Sequence, residues 1–287
     1  MKCRYGVFQL VLLICVTPAL LGQIPAGTDR RDVLGWVLKG KFRPFVEAEY
    51  GYAFVDQEKS TAEFNEIAAV GAKLGYSEVK IFKRSLLSMD DRYAFGGYSS
   101  SDVDHRNLLS EEKVTAELLR FGLGFRSGYG YPIGPIGLLP WNMHTYEFTR
   151  VKTARPDTLL PSDVDILNRY EGHYSFGISG EAGLSVRLFG AFQANASYQM
   201  SIIYPRVVFW EWLGSYMLAA GATGIVTVFG EDVVSSSEVL GPILYWVIKN
   251  GLTYGLFHLY RTSMNWPFKS ETPLTQQAFK VGATFVF

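Results

Sequence analysis

The chain has 287 residues with 27 basic and 27 acidic side chains, so its formal net charge is zero and it has no overall positive field to attract nucleic acid. Charged residues make up 19% and aromatic residues 15%, which excludes a disordered chain, because disorder requires high charge and few aromatics. Glycine occupies 29 positions and cysteine only 2, which excludes a disulfide scaffold and favours a β protein with a large apolar exterior.

The first segment, residues 1–22, has the pattern of a secretory signal peptide. A basic start precedes an apolar run, and the small residues after it offer two alternative cleavage sites. An uncleaved membrane anchor, or a lipid attached at Cys15, are the alternatives. We expect residues 1–22 to direct export, residues 23–40 to form a lead-in, and residues 41–287 to form the folded body.

The clearest predicted strands are His173–Leu188 and Phe192–Tyr204. Apolar side chains alternate with Ser, Gly, Gln and Asn along both segments, so each is a strand with two different faces. The short Phe-Gly-Ala connection between them predicts a hairpin. Both strands exceed the five or six residues that are about usual in soluble proteins. The uncharged polar face is typical of the interior of a small membrane barrel.

Other segments alternate less perfectly, and their connections are alternately short and long. The additional predicted strands are Phe45–Val55, Asn65–Tyr76, Val79–Ser99, Val114–Tyr129 and Trp141–Lys152. Short connections are predicted near Ser77–Glu78 and at Gly190, long polar ones near Asp56–Ala62, Ser99–Glu112 and Thr153–Glu171, and an apolar one at Gly130–Pro140. Short turns on one side and longer loops on the other are typical of outer-membrane barrels.

The last residues carry the most specific signal. In Phe279–Phe287, every second residue is apolar and the final one is Phe. This resembles the closing strand of Gram-negative outer-membrane β-barrel proteins, a broad superfamily in which such an end is read by the barrel-assembly machinery. The resemblance implies a location in the outer membrane of a Gram-negative bacterium. It also implies outer-membrane lipids and the assembly machinery as partners.

Residues 206–250 depart from the alternation and predict a helical insertion. Leu213–Gly230 contains no charge and many small residues. Downstream, Ser235 or Ser236 could cap a helix over Ser237–Lys249, with Pro242 early in the helix and Asn250-Gly251 as its stop.

Two folds accommodate this insertion. One is an all-β transmembrane, antiparallel up-and-down barrel of eight strands, with the apolar helical insertion before the last strand. The other has ten strands, of which Val207–Phe229 and Leu252–Asn265 are irregular ones. An even count keeps both termini on the periplasmic side in either case. We favour eight strands.

Alternation also assigns side chains to the two surfaces of the barrel. The residues expected to face the membrane are Phe176, Ile178, Leu184, Tyr198, Phe285 and Phe287. The residues expected to face the lumen, where buried charges of opposite sign must pair, are Glu47, Glu49, Glu117, Arg120, Glu181 and Arg187.

The chain lacks the sequence motifs of phosphate-binding loops and metal sites, so we expect no cofactor and no metal. The composition and resemblance favour an integral outer-membrane barrel with a structural, binding or narrow-transport role. Porin-like bulk diffusion is not expected, because side chains nearly fill an eight-stranded lumen. The alternative is a lipid-modifying enzyme, an acyl hydrolase or transferase, in which His258 activates Ser263.

Overall fold

The computed structural model describes residues 42–82, 85–100, 112–188 and 191–287, so the expected signal peptide and lead-in lie outside the described residues. Within the described part there are eight strands and three helices. The strands are β1 (Arg43–Asp56), β2 (Ile67–Phe82), β3 (Leu86–Ser100), β4 (Thr115–Ile133), β5 (Ile136–Ala154), β6 (Tyr174–Leu188), β7 (Phe192–Ile203) and β8 (Leu274–Val286). The helices are α1 (Pro161–Asn168), α2 (Phe209–Ser236) and α3 (Gly241–Thr262).

The strands form one closed antiparallel barrel. Each strand pairs with the next along the chain, and β8 also pairs with β1, so the ring closes with no free edge. The seam has a regular register, in which Ala48 lies opposite Ala283. The prediction of an eight-stranded barrel with a helical insertion is confirmed.

The ten-stranded alternative is wrong, because its two extra strands fall largely within α2 and α3. The charge-free run Leu213–Gly230 offers no polar face to line a lumen. A helix satisfies all its backbone hydrogen bonds within the segment, which suits an apolar run in lipid.

The strands are longer at one end of the barrel than the sequence predicted. The expected connection at Ser77–Glu78 is wrong: β2 continues to Phe82, because Val79 and Ile81 extend the inward apolar pattern. The expected connection at Gly130–Pro140 is also strand for most of its length. The connection itself is a tight turn at Gly134, whose φ of 57° favours glycine. We call this end, with the short connections, the turn end, and the opposite end the loop end.

The two long helices form an antiparallel hairpin along the outside of the barrel. At the turn end, Val234 packs against Leu86, and the Tyr131 hydroxyl donates to the carbonyl of Val239 at 2.5 Å. At the loop end, the Arg261 guanidinium lies 2.7 Å from the Asp56 carboxylate. Helix α2 therefore runs from the loop end to the turn end, and α3 runs back to the loop end.

The helix α3 differs from its predicted bounds. It begins at Gly241 and continues through the expected stop at Asn250-Gly251 to Thr262. The Asn250 amide donates to the carbonyl of Trp246 within the helix, at 2.8 Å, instead of capping its end. The helical insertion thus extends beyond the predicted residues 206–250.

Candidate functional site

The interior of the barrel holds a network of buried charges. Apart from Arg43 at the rim of the turn end, strand alternation turns five acidic and five basic side chains inward within the described part of the chain. They are Glu47, Glu49, Asp91, Glu147 and Glu181, with Lys73, Arg120, Arg126, Arg187 and Lys280. The two signs are equal in number, as buried charges require.

Two lysines connect three of the carboxylates at the centre. Lys73 Nζ lies 2.8 Å from Glu47 Oε1 and 2.7 Å from Glu49 Oε2. Lys280 Nζ lies 3.0 Å from Glu49 Oε1 and 2.7 Å from Glu181 Oε2. Glu49 is therefore shared between both cations, and the cluster joins β1, β2, β6 and β8 across the lumen.

Toward the turn end, Arg126 continues the network. Its Nε lies 2.7 Å from Asp91 Oδ2, and its Nη1 lies 2.9 Å from Glu47 Oε2. The same Glu47 oxygen accepts hydrogen bonds from Asn195 at 3.1 Å and Thr284 at 2.6 Å. These donors and Lys73 supply the hydrogen bonds that water would make to an exposed carboxylate, so the buried Glu47 carboxylate is well satisfied.

Toward the loop end, Arg120 forms a second cluster. Its Nη2 lies 2.6 Å from Glu147 Oε2 and donates to Ser201 Oγ at 3.0 Å. Its Nη1 donates to the side-chain carbonyls of Gln199 at 3.1 Å and Gln276 at 2.9 Å. One guanidinium thus ties together strands on opposite sides of the barrel.

Apolar layers close the network at both ends. The layer at the turn end includes Phe45, Leu87, Leu139, Trp141 and Val286. The layer at the loop end includes Val55, Ile67, Leu118, Val151, Tyr170 and Leu274. Between them, a cavity of about 20 Å³ lies beside Lys73 and Arg120, which is room for about one water molecule. The charge network and the two apolar layers together occupy the interior of the barrel.

The structure places five of the six predicted lumen residues in this interior. Glu117 is the exception: it lies on the outward face of β4, opposite Lys152 of β5. The reason is parity, because Arg120 points inward and residues at odd positions of β4 must then point outward. Its expected lumen role is therefore wrong.

The predicted membrane-facing residues all lie on the outward surface, but in two different surroundings. Phe285 and Phe287 are exposed, and Leu184 is half-buried on the outer face of β6. Phe176, Ile178 and Tyr198 are half-buried and pack against the cluster that includes α2 and α3 residues. The ring of Phe176 meets that of Trp212 edge-on, with centroids 5.8 Å apart. Protein therefore covers these three residues where lipid was expected.

The His258 and Ser263 side chains do not form a catalytic pair. The His258 ring packs edge-on against Tyr254, with centroids 4.4 Å apart. The Ser263 hydroxyl donates to the carbonyl of Phe268 at 2.8 Å and lies 2.9 Å from Ser270 Oγ. A Ser nucleophile needs a base within hydrogen-bonding reach. The geometry gives the enzyme alternative no support.

Sequence reasoning missed a polar contact between α3 and the barrel wall. Lys249 Nζ lies 2.8 Å from the Tyr245 hydroxyl and 3.4 Å from Ser127 Oγ on the outward face of β4. Nearby on the wall, the Trp246 indole donates to the carbonyl of Trp141 at 2.9 Å. The outward polar residue Ser127 interrupts an apolar face, and this interruption is the signal that could have revealed a covered surface.

At the loop end, Asp163 of α1 anchors the connection between β1 and β2. Its carboxylate accepts hydrogen bonds from the Thr61 hydroxyl at 2.7 Å, the Thr61 amide at 3.2 Å and the Ser60 hydroxyl at 3.0 Å. Burial alone raises the pKa of Asp163, but these hydrogen bonds stabilise the anion and leave its pKa below the usual 3.8.

No family model and no curated protein matches this chain. Among solved structures, it is similar to Neisserial surface protein A at 10% identity, with a TM-score of 0.36 over 85% of this chain and 97% of the other. It is similar to Ail, the attachment invasion locus protein of Yersinia pestis, at 9% identity, with a TM-score of 0.36 over 86% and 99%. It is also similar to the outer membrane protein OprG from Pseudomonas aeruginosa at 11% identity, with a TM-score of 0.28 over 87% and 99%.

The architecture combines a closed ring of strands with a polar interior and an apolar exterior. A closed ring of long strands with a polar interior leaves no unpaired strand edge, and it carries apolar side chains such as Leu74 and Val281 on its exterior. In water, such an exterior would be unstable, whereas a bilayer satisfies it. The chain is a closed eight-stranded antiparallel β-barrel with a polar interior and an apolar exterior.

Proposed function

We propose that this chain is a non-conducting barrel of the Gram-negative outer membrane, with a structural or binding role. The observation that carries the proposal is the closed interior. Paired charges fill the middle of the lumen and apolar layers cover both ends. An ion would have to displace these layers and break the buried pairs in order to pass, which makes transport the less favoured role.

The loop end supports a binding role better than the turn end. It carries the long connections and α1, and hydrogen bonds such as that between Asp163 and Thr61 hold two connections together. A rigid barrel with longer loops at one end is an arrangement that presents binding residues in fixed positions. The binding partner in this proposal is a molecule outside the cell, reached from the loop end.

The proposal includes export and assembly. The pattern of residues 1–22 supports export to the periplasm, and the alternating apolar residues of Phe279–Phe287 support recognition by the barrel-assembly machinery. In the fold, this segment lies mostly in β8, which closes the ring against β1.

Two measurements test the proposal. Fractionation of cells that express the full chain should place it in the outer membrane, with the shift on heating in gel electrophoresis that is typical of folded barrels. The purified protein in a planar bilayer should produce no steady conductance steps under conditions in which a general porin does. A steady ohmic conductance would replace the structural or binding role with narrow transport, and recovery in the inner membrane would overturn the location.

A further inference from the structure

The helix α2 presents a large apolar surface that the rest of the protein leaves open. It is the one helix of the described residues that is long and apolar enough to cross a membrane. Large apolar side chains on it are exposed, including Ile225 at 73%, Met217 at 65% and Val228 at 64%. A surface of this kind is not stable in water and requires a covering.

The length of the charge-free part of α2 identifies the covering. Glu211 and Glu231 bound it, and no charged side chain occurs between them. At a rise of about 1.5 Å per residue, the distance between these two residues along the helix is about 30 Å. That equals the thickness of the hydrocarbon core of a bilayer, about 30 Å.

The hairpin also lies at the depth of the barrel's own apolar band. It follows the outer wall from the loop end, where Arg261 contacts Asp56, to the turn end, where Val234 packs against Leu86. The barrel crosses the membrane along the same direction, so a hairpin fixed to its outer wall occupies the bilayer beside it.

Lys249, the charged side chain in the middle of α3, is directed toward the barrel wall and away from the exposed surface of the hairpin. Lys249 is 7% exposed, and its ammonium group meets Tyr245 and, on the wall, Ser127. Helix and wall lie close together at Gly180, where an added methyl group would stand 2.3 Å from the Thr253 side chain. Small residues and polar contacts at the interface, with apolar residues outside it, are the pattern by which helices associate within membranes.

We infer that the α2–α3 hairpin spans the bilayer beside the barrel, with the exposed face of α2 in contact with lipid acyl chains. The protein would then cross the membrane with both helices and strands, and the hairpin would replace lipid as the neighbour of β4–β7. This inference depends on the proposed membrane location, so its test includes a reporter on the barrel itself.

Site-directed spin labelling in phospholipid vesicles tests the inference. Single-cysteine variants of the full chain are made with Cys3→Ser and Cys15→Ser as background, and the heat-dependent shift in gel mobility verifies that each has folded. The labelled sites are Ile225→Cys on α2, Leu74→Cys on the uncovered face of β2 and Leu160→Cys beside α1. Collision rates with oxygen, which concentrates in lipid, and with a water-soluble nickel chelate give the surroundings of each label.

The ratio of oxygen to nickel collisions at Ile225 should resemble that at Leu74 and exceed that at Leu160 several-fold. A ratio at Ile225 like that at Leu160, with Leu74 in lipid, would overturn the inference and leave the barrel location intact. Polar surroundings at both Ile225 and Leu74 would instead contradict the proposed function. Low collision with both reagents at Ile225 alone would show that protein covers α2, either a second copy or another partner, and would also overturn the inference.

Discussion

Gly180 of β6 and Thr253 of α3 are in direct contact, because a hydrogen is the only side chain that fits between the barrel wall and the helix at this position. Gly96 of β3 also points outward, but open space surrounds it. The two glycines therefore occupy equivalent strand positions, one covered by the hairpin and one not.

This difference gives the first expected outcome. Gly180→Val should destabilise the folded protein by about 1–3 kcal/mol, because the added methyl groups force α3 away from the wall. Gly96→Val is the matched control and should change the free energy of unfolding little or raise it, since valine favours strands. Urea unfolding in vesicles measures both. Equal stabilities of the two variants would contradict the close packing of α3 on β6.

The second expected outcome concerns the centre of the lumen. Lys73→Met removes the cation that lies within 2.8 Å of Glu47 and 2.7 Å of Glu49. Because this leaves buried carboxylates with too few partners, we expect a loss of about 3–5 kcal/mol in the free energy of unfolding.

Lys80→Met is the control for that substitution, because Lys80 pairs with Glu78 at 3.4 Å on the surface, with 53% of the lysine side chain exposed. Its effect should stay within about 1 kcal/mol. The free energies of unfolding are measured in urea. Equal losses in the two variants would contradict the expectation that Lys73 stabilises the fold through its buried ion pairs.

The third expected outcome is a pH dependence at the loop end. The folded pKa of Asp163 lies below 3.8, because Thr61 and Ser60 donate hydrogen bonds to its anion. The stabilisation is therefore complete above the unfolded pKa and is lost as the pH falls through the lower, folded pKa. Carbon NMR of the Asp163 carboxyl group should give a titration midpoint below 3.8.

Thr61→Val provides the matched comparison. It removes the hydroxyl that donates at 2.7 Å but keeps the backbone amide, so the titration midpoint of Asp163 should move up toward the unfolded value. A midpoint that does not change would mean that the Thr61 hydroxyl does not contribute to the lowered pKa.

The sequence predicted the inner and outer faces of the barrel well where apolar and polar residues alternate without interruption along a single strand. β6 alternates without interruption, so its lumen residue Glu181 and its outward residue Leu184 could be assigned from parity alone. The prediction for Glu117 is wrong because this residue is separated by an odd number of positions from the inward Arg120 on the same strand. The turn expected at Ser77–Glu78 was wrong because polar residues alone do not end a strand when the inward apolar pattern continues.

The surroundings of the outward residues could not be predicted in the same way. Alternation shows that Phe176 points out of the barrel, but it does not show that Trp212, from a segment far along the chain, covers it. The end expected at Asn250-Gly251 failed for a related reason. A turn signal that ends a helix in water is weak where the backbone must satisfy its own hydrogen bonds.

The fourth expected outcome concerns the last residue. The Phe287 amide donates to the Pro44 carbonyl at 2.9 Å, while its ring is 62% exposed and contacts Phe285 edge-on. Deletion of Phe287 should therefore cost little in refolding into detergent, yet lower the amount of protein in the outer membrane if the assembly machinery reads this ring. Phe287→Tyr should restore the level. An unchanged level in the deletion strain would contradict the resemblance to barrel closing strands.

The position of the hairpin also affects the order in which the ring can form. The wall on which α3 packs is built from β4–β7, and the seam between β1 and β8 lies outside that wall. All residues of the docked hairpin and its wall precede β8 in the chain. The hairpin can therefore reach its final place on an open, curved sheet, and closure then requires only the 13 residues of β8 to join two edges that are already in position.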